Sequence, residues 1–139
     1  MKRPGLLPLA LGLLLAHTAQ AAAPACPSAK FPAFFAKYAD SIALQKTYTA
    51  DPLAISLLDY AVQPEPRQVS KQLARNSLSF PLIPPAPVRK RQGLALRLNQ
   101  VDDNNASATL FKEETGYKVT YVFRKDACWK LERRDDQSL

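Results

Sequence analysis

The chain has 139 residues and a formal net charge of +7, long enough for one folded core and too short for two. One histidine, His17, and two cysteines, Cys26 and Cys128, leave little of the usual catalytic and metal-binding chemistry. A positive excess of this size reads as ordinary surface charge, not as a surface built for nucleic acid or membrane.

Met1-Lys2-Arg3 is a short cationic segment, Leu6 to Ala16 an apolar run, and Ala19-Gln20-Ala21 the small-x-small site that a signal peptidase accepts. The sequence thus predicts an export signal over 1–21 and a single mature domain over 22–139. The apolar run is about half of the roughly 20 residues that cross a bilayer, and no stop-transfer stretch follows. No stable membrane insertion is expected after cleavage. Cleavage removes Lys2, Arg3 and His17, leaving 17 basic against 12 acidic residues, a net charge of +5. Ala23-Pro24-Ala25 lacks the large aliphatic residue that precedes a lipid-modified cysteine. An even pair of cysteines in an exported chain predicts instead a Cys26–Cys128 disulfide.

In the mature chain, Phe31, Phe34, Phe35, Tyr38 and Ile42 follow the spacing of one helical stripe, with Ser28 as N-cap and Pro32 tolerated in the first turn. Asp40-Ser41 marks a break before a second helical turn to about Lys46. Asp51-Pro52 signals a turn, because the residue before proline is pushed out of the helical region. Leu53 to Val62 reads as a strand, although its length also permits a helix. Gln63-Pro64-Glu65-Pro66 is an exposed turn, and Val69, Leu73 and Asn76 share a face of a short helix. Leu78-Ser79-Phe80 is briefly extended and runs into Pro81, Pro84, Pro85 and Pro87, a stiff polyproline-like connector. Arg89-Lys90-Arg91 follows it as a loop.

The last third alternates as strands do. Leu94, Leu96 and Leu98 point one way and Ala95, Arg97 and Asn99 the other, and Asp102-Asp103-Asn104-Asn105 is a turn cluster. Ala106 to Phe111, Tyr117 to Arg124 and Cys128 to Arg133 complete a meander, with turns ending at Thr115-Gly116 and Lys125-Asp126. The predicted class is α+β, with N-terminal helices whose Phe-rich stripe packs on a curved antiparallel sheet.

Phe31-Pro32-Ala33-Phe34-Phe35, Asp51-Pro52-Leu53, Ser79-Phe80-Pro81-Leu82 and the tail Tyr121-Val122-Phe123, Cys128-Trp129-Lys130-Leu131, Asp136-Gln137-Ser138-Leu139 resemble a bacterial exported family of uncharacterised function with an NTF2-like, cystatin-like fold. The resemblance spans nearly the whole mature chain. It implies a cone in which helices close the wide end of a curved sheet around a pocket. A fold of this kind hosts binders and enzymes alike, so the resemblance chooses no activity.

Without histidine the mature chain cannot form a Cys/His nucleophile pair, and its carboxylates show no ligand spacing, so neither metal nor cofactor is expected. Asp102-Asp103 and Asp135-Asp136 read as a hairpin turn and a solvated tail. Within a cone, Tyr117, Tyr121, Trp129 and Asp59 are the pocket candidates, and a Tyr/Asp pair could do acid–base work. Each tyrosine also reads as a core or rim residue. Trp129 reads as a core indole facing away from its neighbour Cys128, or as the floor of a ligand pocket. Arg89, Lys90 and Arg91, joined by Lys71 and Arg75, are a candidate anion patch. No aromatic residues interleave with these charges, and export argues against nucleic acid. The expected function is an exported, periplasmic or secreted, non-enzymatic protein that binds a small ligand or another protein, an immunity-type inhibitor being one instance. The alternative is a small hydrolase or isomerase using a Tyr/Asp pair in the pocket.

Overall fold

The computed structural model describes Met1, Gly5 and residues 25–139. The remainder of the expected export segment, with its expected projection as a helix, lies outside the described residues. The elements in chain order are α1 (Phe31–Ala39), α2 (Ile42–Thr47), β1 (Thr49–Asp59), β2 (Arg67–Leu73), α3 (Ala86–Gln92), β3 (Ala95–Gln100), β4 (Asn105–Lys112), β5 (Tyr117–Lys125) and β6 (Trp129–Asp136). A single 3-10 turn, Arg75–Ser77, follows β2. All six strands form one sheet in the order β2-β1-β6-β5-β4-β3. Every pairing is antiparallel except β1 with β6, which is parallel, so the sheet is mixed. The class is α+β, as the helix-then-strand pattern implies.

Phe31, Phe34, Phe35 and Tyr38 of α1 are all buried, and each ring lies 5.2–6.0 Å from that of Phe123 on β5. All four contacts are edge-on or tilted, the arrangement that aligns a ring's positive edge with its neighbour's negative face. The stripe stops at Tyr38. Asp40 ends α1 and Ser41 restarts the chain by accepting from Leu44 N at 3.2 Å, which rotates Ile42 outward to 49% exposure. Ser28 is not the N-cap: Lys30 holds that place without a side-chain bond, and Ser28 Oγ accepts from Lys30 N at 3.2 Å.

Three local expectations differ from the structure. Asp51-Pro52 lies inside β1, where the β1–β6 register shifts between Thr49 and Ala54; proline is admitted into a strand at such an irregularity. Residues 67–73 form β2, paired with β1 from Leu53↔Leu73 to Asp59↔Arg67, in place of a helix. Val69 and Leu73 are four apart, a spacing that shares a face under both periods, so the sequence did not discriminate. Pro87 sits in the first turn of α3, where its missing N–H costs nothing, and Arg89-Lys90-Arg91 are therefore helical. Gly93 at φ +68 closes that helix, with Gly93 N donating to Lys90 O and Leu94 N to Arg89 O.

Gln45 of α2 is fully buried and fully satisfied. Its Nε2 donates to Ala39 O and Ile83 O at 3.2 and 3.0 Å, while Oε1 accepts from Leu82 N and Ile83 N at 2.7 and 3.2 Å. These bonds fasten the connector after β2 across the sheet. The disulfide Cys26–Cys128 forms, with Cα atoms 5.5 Å apart, tying the segment before α1 to the residue before β6.

Candidate functional site

One row of paired residues crosses all six strands: Lys71, Ile55, Arg134, Tyr121, Ala108 and Leu98. Paired residues point to the same side of a sheet, so this row is a section through the inner face that carries the helices. Its left half is the floor of a cavity of about 380 Å³ lined by Ile55, Leu57, Lys71, Leu73, Ser77, Leu78, Ser79, Pro81, Leu82 and Arg134. The connector held by Gln45 forms the opposite wall. The volume falls in the lower part of the range of about 300–1,000 Å³ in which small-molecule sites occur.

Tyr121 marks the inner edge of this region. It is buried, and its hydroxyl donates to Leu82 O at 3.0 Å. Burial pushes its pKa up to about 12, although the neighbouring Arg134 guanidinium pulls the other way. Tyr117, four residues earlier on the same face, is half-buried and is also raised by burial, with Arg134 again opposing. Arg134 donates to Asp136 Oδ2 at 3.3 Å, and Asp136 Oδ1 accepts from Ser138 N at 3.1 Å.

No family model and no curated protein matches the chain. Among solved structures it is similar to the crystal structure of an NTF2-like protein from Bacteroides fragilis NCTC 9343, with a TM-score of 0.58 and 21% identity. The fold is NTF2-like. The match covers 78% of this chain and 47% of that one, so this chain spans about half the length of its structural neighbour.

Within the NTF2-like cone the sequence-predicted residues disperse. Trp129 is buried beneath α1, its ring 5.1 Å from Phe31 and its Nε1 donating to Ala29 O at 2.9 Å, so it lies in the core and not in the cavity lining. Asp59, near the end of β1, accepts from Ala61 N at 2.9 Å and is occupied by its own turn. It stands four residues along β1 from Ile55, about 13 Å from the row that holds Tyr121. The structure therefore does not bring Tyr121 and Asp59 together. The basic residues likewise separate into distinct places. Arg89 turns inward, donating to Pro84 O at 2.7 Å with its guanidinium 5.9 Å from the Phe35 ring centre, while Lys90 and Arg91 are exposed. Arg75 donates to Thr49 O in a wide groove beside α2, and Lys71 alone of the five lines the cavity.

Arg134 is the functional candidate that the sequence reading missed. Trp129 and Leu131 face inward, so strict alternation assigns the next inward place to Arg133. The register shift between Val122 and Phe123 inserts one extra residue on β6, leaving Arg133 exposed and turning Arg134 into the cavity. Among the described residues no group of three or more His, Cys, Asp and Glu converges on a metal-sized site.

Proposed function

We propose that the protein is an exported, non-enzymatic binding protein whose concave cavity holds a small ligand. The observation that carries this reading is the cavity itself: aliphatic walls with two serines, two cations and a neighbouring buried tyrosine hydroxyl already committed to Leu82 O. A pocket that is largely apolar with a few placed polar groups is the common form of a binding site. An acid–base mechanism needs an ionisable pair within hydrogen-bond reach of one reacting atom, and the carboxylate nearest in sequence expectation, Asp59, is engaged elsewhere. Export is supported by the signal-like residues 1–21 and by the disulfide, a bond characteristic of oxidising compartments. No helix among the described residues is long and apolar enough to cross a membrane.

The test is purification of the oxidised protein from an exporting host, followed by native mass spectrometry and by turnover assays on ester, phosphate and glycoside substrates. The expected result is a small molecule released on denaturation and no turnover above background. Reproducible turnover abolished by Tyr121→Phe or Asp59→Asn would overturn the reading in favour of a hydrolase or isomerase.

A further inference from the structure

We propose that the cavity takes an amphiphilic anion, a single carboxylate head on an aliphatic chain of medium length, with Arg134 as the principal head-group ligand. This rests on the small-ligand reading above and names the chemical class.

The first ground is charge. Lys71 and Arg134 flank Ile55 in the same cross-strand row, which places their backbones two strand spacings apart, about 9.6 Å. Both side chains line the cavity. Among the described residues the salt bridges are Arg133–Asp135 and Arg134–Asp136, so Lys71, which is exposed, enters none and adds a solvated positive charge at the edge of the cavity. A cationic ligand meets repulsion there, and an anionic one is attracted.

The second ground is unused donors. A guanidinium carries five N–H donors in a planar fork suited to a carboxylate. Arg134 gives one of them to Asp136, at the long distance of 3.3 Å, and interacts with the Tyr121 hydroxyl as well. Its side chain is only 29% exposed, so water screens it incompletely and a charge-assisted bond formed there is strengthened. Lys71, on a flexible stem, supplies a second, less directional positive charge from the β2 side.

The third ground is shape. Beyond the two cations the walls are Ile55, Leu57, Leu73, Leu78, Pro81 and Leu82, joined by the exposed Ser77 and Ser79, with no acidic side chain among the lining residues. The six apolar side chains reward an alkyl chain, while the two serines offer neutral hydroxyls and no charge. At about 30 Å³ per water-sized unit, about 380 Å³ admits roughly a dozen non-hydrogen atoms, the size of octanoate or decanoate.

The test is titration of the isotopically labelled, oxidised protein with octanoate, 1-octanol and acetate, read by amide chemical shifts. Octanoate should move Ile55, Leu57, Leu73 and Arg134, bind at least tenfold more tightly than octanol, and weaken as salt rises; acetate should move nothing. Arg134→Met should remove most of octanoate's advantage over octanol and leave octanol unchanged, Lys71→Met should cost a few-fold, and Arg134→Lys should restore part of the loss. The lysine variant keeps the test decisive where the methionine variant fails to fold. Octanol binding as tightly as octanoate overturns the anion class and leaves the small-ligand reading standing, as does a retained natural ligand with no octanoate binding. Shifts confined to the groove around Lys46, Arg75 and Phe80 overturn the location. Failure of every probe in protein that also retains no ligand removes both the inference and the reading beneath it.

Discussion

Loss of the Cys26–Cys128 bond should remove a large share of the domain's stability. The cysteines are 102 residues apart, and in the chain-entropy account a loop of that length restrains the unfolded chain by about 4.7 kcal/mol. Whole domains of this size are stable by about 5–15 kcal/mol. The segment the disulfide anchors has other holds: Trp129 Nε1 and Lys37 Nζ donate to Ala29 O and Pro27 O at 2.9 and 2.8 Å. These persist after reduction, so native packing should survive while the midpoint drops. At about 4 °C per kcal/mol, the double variant Cys26→Ser/Cys128→Ser should melt about 15–20 °C below the oxidised protein. Circular dichroism melts of both proteins, with and without reductant, check this. A difference below about 3 °C, or an equal effect of reductant on the double variant, would refute the reasoning.

Gln45→Leu should destabilise by about 2–4 kcal/mol, because it leaves Leu82 N, Ile83 N and Ile83 O short of partners, and should raise hydrogen exchange across residues 78–85; unchanged exchange there contradicts the role of Gln45 in holding the cavity wall. Burial raises the pKa of both Tyr38 and Tyr121, the latter to about 12, against an ordinary value of 10.0. The neutral forms are therefore favoured by folding: this contribution is complete below about pH 10 and is lost as pH rises toward 12 and beyond. Urea midpoints should fall above pH 10, less steeply in Tyr121→Phe; a fall beginning near pH 8 would point to other groups. Exported material should begin at Ala22, and N-terminal sequencing that finds Met1 on periplasmic protein would contradict the export signal.

Local periodicity made much of the fold legible. The aromatic stripe of α1 and the β3–β6 meander repeat with a single period between clear turn signals, so each could be read without its partner. Position within the sheet could not. β1 inserts between β2 and β6 through a parallel pairing that no local signal encodes. β2 was ambiguous because Val69 and Leu73 suit either period, and α3 was hidden by prolines that a helix tolerates only at its start. The disulfide was readable from the cysteine count and the signal-like first residues alone. The site was the least legible part: Gln45 looks like any surface amide in sequence, and one inserted residue in β6 exchanges Arg133 for Arg134 on the inner face.

The central claim is that the concave cavity over Ile55 and Arg134 is where a ligand is held. Its most direct test fills the cavity from within by Leu57→Trp and compares ligand retention with the parent protein, both exported from the same host, by native mass spectrometry. The account predicts a small molecule released from the parent on denaturation and absent from Leu57→Trp, with the circular dichroism of the two proteins alike. Equal retention by both proteins, or no small molecule in the parent, would contradict it.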